Sequence, residues 1–275
     1  MDKATVIGLI LGCLTLGGAL LLGHAPLQAL IQPEALLMVF GGTATAVLVS
    51  FSTRTLGAAW TGFCHSLRED AFGAEDYLDY LTEISRFVRQ EGTLALEPML
   101  AQVEIPFIRQ GLQLMVDGQP EAFIRNSLMT EIDITYRDDL DKSRVFEAAG
   151  GFAPTMGIVG AVIGLMSVVG SFQSPGQLGE GVAGAFSATL YGVALANLFL
   201  LPVAGKLRQR ARDQWFRKTL MLEGMMSICC GDHPMMTEEK LRFFAGAKPA
   251  ERFPERLEDA TPDFIFDDLA HTTSR

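Results

Sequence analysis

Charge is missing from four long stretches of this 275-residue chain, and that absence decides its class. Residues 4–22, 35–53, 152–171 and 181–205 contain no Asp, Glu, Lys, Arg or His. Each stretch matches the roughly 18 to 20 apolar residues a helix needs to cross a hydrocarbon core of about 30 Å. Buried helices of water-soluble proteins rarely stay uncharged over that length, which argues against a soluble domain. No small-residue cleavage site closes the first stretch, and the second follows after a short turn, so the first reads as a retained span and not a cleaved leader. Cysteine is scarce. Cys13 lies inside an apolar stretch, Cys64 is isolated, and the adjacent Cys229 and Cys230 lack metal-ligand spacing, which points to reduced structural thiols. There is no nucleophile–base pair, metal-ligand cluster or phosphate-binding glycine loop in a credible context, so neither an enzyme nor a resident metal or cofactor is expected. Strand-forming alternation and internal repeats are missing too, which leaves an all-α fold. The net charge of −10 comes from the polar portions and disfavours nucleic acid as their partner.

What is present sets the topology. Two short connections, residues 23–34 and 172–180, carry no Lys or Arg. The other side carries Lys3, Arg54, Arg137, Lys142 and Arg144, then Lys206, Arg208, Arg210 and Arg212. Positive residues stay on the cytoplasmic side, so the pattern predicts a multi-pass protein of the lipid bilayer with both termini in the cytoplasm. The layout is a transmembrane hairpin (1–53), a cytoplasmic insert (54–149), a second hairpin (150–205) and a tail (206–275). Tyr77, Leu78, Leu81, Ile84, Phe87 and Val88 recur at helical spacing, with Gly92 as a stop. Phe107, Ile108, Leu112 and Met115 form a second apolar stripe, and residues 121–146 read as a charged helix running into the third span. The tail beyond Pro249 is acidic and proline-containing, and is expected to be mobile.

The last two spans carry small-residue faces, with Pro154, Gly157, Ala161 and Gly164 in one and Gly181, Ala185, Ala188, Thr189, Gly192 and Ala196 in the other. Small faces let helix backbones approach where lipid provides no hydrophobic drive between helices. Pro154 and Pro202 each remove a helical donor and call for local compensation. Ion carriers normally need an ionisable group at depth, and no span has one. A carboxylate on an ion path would therefore have to come from another chain. Hydroxyls such as Thr189 and Ser187 can line a path but cannot carry a proton at accessible pH.

At these residues the chain resembles the MotA/PomA branch of the MotA–TolQ–ExbB family. The resemblance lies in Ile7-Gly8-Leu9, Gly41-Gly42-Thr43, Ala153-Pro154-Thr155-Met156-Gly157-Ile158 with Gly160 and Gly164, and Ala188-Thr189-Leu190-Tyr191-Gly192 followed by Asn197, Pro202 and Lys206. It departs from the family at Ser50-Phe51-Ser52, which lacks a common proline, and in its acidic tail. The resemblance implies a bacterial inner-membrane flagellar stator subunit that forms a homopentamer around a MotB/PomB-like partner supplying a membrane aspartate. It implies roles in ion passage and coupling for Pro154, Thr189 and Pro202, and close helix packing at Gly157, Gly160, Gly164 and Gly192. Ala161 stands where sodium-driven members typically carry threonine; without that oxygen ligand, H⁺ is favoured over Na⁺. The alternatives are a TolQ/ExbB-like subunit energising the envelope or gliding, and a passive scaffold. Arg89 and Glu97 match the charged pair that contacts the rotor protein FliG, a contact in which charge speeds encounter more than it tightens grip. Arg89→Glu is then expected to reduce torque, with partial restoration by a charge change on FliG; normal swimming of the single variant would count against the contact.

Overall fold

The structure is a computed structural model that describes residues 3–22, 32–66, 73–170 and 175–246. The expected mobile tail beyond Pro249 and most of the first short connection (23–34) lie outside those residues, whereas residues 175–180 of the second are helical. Among the described residues there is no β-strand. Helix α1 is Lys3–Leu22 and α2 is Pro33–Ser50, the latter with a π-helical turn at Leu37–Gly41. Then follow α3 (Thr53–Ser66), α4 (Ala74–Glu91), a 3₁₀ segment (Thr93–Gln102) and α5 (Pro106–Val116). Helix α6 runs unbroken from Glu121 to Gly170. Helix α7 (Pro175–Leu195) passes through a π-helical turn (Ala196–Leu200) into α8 (Leu201–Cys229), and α9 (Pro234–Gly246) closes the described chain.

Three helices among the described residues are long and apolar enough to cross a membrane: Pro33–Ser50, and the apolar parts of Glu121–Met166 and Gly181–Cys229. The second span ends at Ser50, three residues before the end of the uncharged stretch. Phe51 turns extended (φ −128°, ψ 150°), and Ser52 then caps α3, its Oγ accepting the Thr55 N–H at 3.2 Å. A serine side chain that can accept an orphan N–H favours a new helix start over continuation.

The chain folds into two compact units that do not follow the linear order of segments. One comprises Met1–Ala71 with Asp133–Gln214, the other Phe72–Ile132 with Trp215–Arg275. The first unit has a narrow core in which alanines dominate: Ala59, Ala149, Ala153, Ala196 and Ala204 pack with Val145, Phe146, Val203 and Leu207. Phe63 of α3 closes one side, with ring centroids 5.8 Å from both Phe146 and Phe199. Around this core lies a wide apolar surface, with Val169 80% exposed, Val49 84% and Phe186 73%. Such a band has no stable place in water; it fits lipid or neighbouring protein.

The second unit has the large-residue core of a soluble bundle. Ile124, Leu128 and Ile132 follow one another at the four-residue interval on α6, and all are buried. Phe107, Ile108, Leu112 and Met115 are buried on α5, and Leu78 and Leu81 on α4. Helix α4 starts where the Gly73 N–H donates to Asp76 Oδ2 at 2.7 Å and stops at Gly92, whose φ of 86° suits glycine. Lys218 pairs with Glu131 at 3.1 Å and lies over the Phe107 ring at 5.1 Å, so its alkyl stem packs while its charge is held on two sides. Leu81 is fully buried, and α8 approaches it so closely that a Cβ on Gly224 would lie 2.7 Å from Leu81 Cδ1. Leu81→Ala is expected to destabilise this unit by about 2–5 kcal/mol. Hydrogen exchange would report it as lost protection in α4 and α9 ahead of the first unit's helices.

Candidate functional site

In the first unit, α6 and α7 meet along a seam where side chains are almost absent. A Cβ on Gly157 would lie 2.9 Å from the Ala188 carbonyl oxygen and 3.3 Å from Thr189 Cα. On Gly192 it would lie 2.5 Å from the Ala153 carbonyl oxygen and 3.1 Å from Pro154 Cα. Gly160 faces Ala188 Cβ at 3.2 Å and Met38 of α2, whereas Gly164 keeps 3.7 Å from Ala185 N. The seam thus runs through Ala153, Gly157, Gly160 and Gly164. Pro154 and Ala161 are partly buried, and Pro154 Cα is among the atoms that close on Gly192.

Both prolines sit in continuous helix, with different neighbours. Pro154 lies inside α6, four residues after Gly150, so the carbonyl its ring crowds belongs to a residue with no side chain. Pro202 is the second residue of α8 and is exposed. Just before it the helix widens: the Leu201 N–H reaches back five residues to the Ala196 carbonyl. A π-turn at this point absorbs the register change that the missing proline donor forces.

The polar groups near depth are hydroxyls. Thr189 is half-buried and donates its proton to the Ala185 carbonyl at 3.1 Å. Its oxygen therefore keeps acceptor capacity for a passing cation or water. Ser187 is buried on the same helix. Thr43, on α2, is buried at 6% exposure, and its Oγ1 has no hydrogen-bond partner among the described residues, unlike Thr45, which bonds back to the Gly41 carbonyl at 2.8 Å.

The second unit holds Arg89 and Glu97. Both are exposed, on either side of the Gly92 stop: Arg89 in the last turn of α4, Glu97 in the 3₁₀ segment. The structure does not pair them with each other. Arg89 Nη1 instead donates to the Gly231 carbonyl at 3.1 Å. Beside it, Asp232 accepts from Lys240 and from Ser227 Oγ, the latter at 2.6 Å. Those hydrogen bonds hold the Asp232 carboxyl below the ordinary aspartate value. Its stabilising contribution is therefore present above the unfolded carboxylate pKa and lost as pH falls through the lower folded value. Burial raises the Cys229 and Cys230 thiols, which makes both poor nucleophiles at neutral pH. Asp133 on α6 is raised by burial, an effect Arg137 opposes. Sequence reading missed Asp232 and the π-turn, because neither carries a local signature: one depends on Ser227 of α8 and Lys240 of α9 meeting at a turn, the other on backbone register.

Two family models match this chain, the MotA/TolQ/ExbB proton channel family over residues 100–218 and the motility protein A N-terminal region over 6–93. Motility protein A of Bacillus subtilis is 32% identical over 259 residues, covering 94% of this chain and 96% of the relative. The chain belongs to the motility protein A family. Chemotaxis protein PomA of Vibrio alginolyticus is 30% identical over 242 residues, 88% of this chain and 94% of that protein. The flagellar MotAB stator complex structure from Bacillus subtilis superposes with a TM-score of 0.83 at 31% identity, covering 92% of this chain and all of the matched one. Members of this family are stator and channel subunits of the membrane, and the backbone seam lies within the part matched to the channel model. Gly192→Ala and Gly157→Ala place a methyl against backbone that cannot yield, and each is expected to cost about 1–3 kcal/mol. Gly164→Ala has room. Thermal melting of detergent-solubilised protein should show the first two variants lowered and the third near wild type.

Proposed function

We infer that this chain is an ion-channel subunit of the flagellar stator and converts ion flow into torque on the rotor. The observation that carries this reading is a membrane unit built around a bare backbone seam with hydroxyls and no carboxylate at depth, on a chain 31% identical to a MotAB stator structure. Proton passage needs a group that titrates, and the spans have none, so the carboxylate belongs to a partner with a membrane aspartate. The Bacillus subtilis complex is one of MotA with MotB, and a MotB/PomB-like chain is the partner here. Five copies surround it in the bacterial inner membrane, each with four spans and cytoplasmic termini, and Arg89 and Glu97 face FliG. The N-terminal match over residues 6–93 favours this over an envelope-energising TolQ/ExbB-like role.

Pro154 and Pro202 act as the compliant points of the two inner helices, and Thr189 offers an oxygen to the path. Ala161, partly buried, offers none, which favours H⁺, since Na⁺ must replace its hydration shell with oxygen ligands. Deleting the gene is expected to leave cells with assembled but paralysed flagella. Cells that swim normally while their envelope leaks would overturn the stator reading. In complemented cells, swimming speed at fixed proton-motive force is expected to be unchanged when Na⁺ is removed; a loss of speed would assign the channel to sodium.

A further inference from the structure

We propose that Asp232 is a positioning residue for the rotor-facing turn, locking the end of α8 so that its Gly231 carbonyl grips the Arg89 guanidinium. The role in torque rests on the stator reading, whereas the grip itself does not.

The end of α8 closes on itself. The Gly231 N–H bonds to the Ile228 carbonyl at 3.0 Å and the Asp232 N–H to the Ser227 carbonyl at 3.1 Å, with Gly231 at φ 74°. That is the pairing of a Schellman motif: it satisfies the last helical carbonyls and leaves the glycine's own carbonyl pointing outward. Arg89 takes that carbonyl at 3.1 Å, placing a cation at the negative end of α8. One of the five guanidinium N–H groups is used, and the rest stay available on an exposed side chain.

A second connection reaches α4 one turn earlier. Ser227 Oγ donates to Asp232 Oδ2 at 2.6 Å, and so accepts from Thr237 at 3.0 Å; Thr237 in turn lies 3.5 Å from Ser85 Oγ. Ser85, Ser227 and Thr237 are all buried. Hydroxyls in series each need an acceptor, and this series ends on the carboxylate, the one member that only accepts. Lys240 of α9 pairs with the same carboxylate oxygen. Asp232 therefore fixes the α8 turn from two sides, and that turn touches α4 at Ser85 through the hydroxyls and at Arg89 through the backbone. The segment after Arg89, which carries Glu97, is a continuous 3₁₀ run, Thr93–Gln102, in which Pro98 supplies no N–H donor and Leu96 and Leu100 are buried. It departs from the last turn of α4 at Gly92, so a grip on Arg89 acts on the point from which it leaves.

The test uses the full chain with its partner in membranes, with Asp232→Ala, Arg89→Ala and the double variant. Asp232→Ala is expected to lower hydrogen-exchange protection of residues 89–102 about ten-fold or more, the loss of a charged hydrogen-bond acceptor. Stall torque in tethered cells should fall with it, and the double variant should be no worse than the poorer single one. Additive torque losses would mean that Arg89 acts on the rotor alone, and unchanged protection would mean that no grip exists; either result overturns the proposal. Arg89→Lys, which keeps both charge and a donor, should restore protection and torque together. Where Asp232→Ala lowers protein levels, Asp232→Asn and Ser227→Ala carry the same comparison. If the wild-type chain fails to restore rotation to deleted cells, the stator reading fails, while exchange still decides the grip.

Discussion

Two helix backbones touch at Gly157 and Gly192 with no side chain between them, and the membrane-embedded half of this protein is arranged around that contact. In lipid there is no hydrophobic gain from bringing helices together, so close van der Waals approach has to provide the association. The Ala153 carbonyl leaves no room for a Cβ on Gly192, and the Ala188 carbonyl none on Gly157. The same economy of side chains extends into the alanine core toward α3 and α8. A seam of this kind is rigid in separation but offers few interlocking side chains to resist sliding, a property suited to helices that shift as an ion passes.

The helices of the seam also carry irregularities. Pro154 follows a glycine pair in α6, and the π-turn at Ala196–Leu200 precedes Pro202. Both are departures from the regular hydrogen-bond ladder, and both sit inside helices that continue for many turns beyond them. The ends of α6 and α8 that lie in the second unit are packed by large residues, Leu128, Ile132, Leu220 and Met225 among them. Each long helix thus packs through small residues in one stretch and through large ones in another. The difference follows from residue size: small residues permit movement at a seam, whereas branched and long ones interlock.

The charged residues show how context changes meaning. Arg89 and Glu97 are grouped by the family resemblance, yet in the fold they are not bonded to each other. Arg89 is held by the backbone of a turn 142 residues away. Asp232, unremarkable in sequence, becomes the terminus of a buried series of hydroxyls because α4, α8 and α9 converge on it.

The sequence by itself determined that this is a membrane protein and that its long apolar stretches hold no ionisable group. Uncharged length and the placement of Lys and Arg are one-dimensional quantities that the bilayer reads directly. It also showed that glycines would form the helix contacts and that residues 121–146 would continue into a span. Only the tertiary structure decided which glycines meet backbone, since Gly157 and Gly164 share a face but differ in clearance. It alone divided the chain into units that cut across the linear segments, placed a π-turn before Pro202, and bound Arg89 to Gly231. Those outcomes depend on contacts between residues far apart in the chain, and on backbone register, neither of which leaves a periodic trace in the order of amino acids.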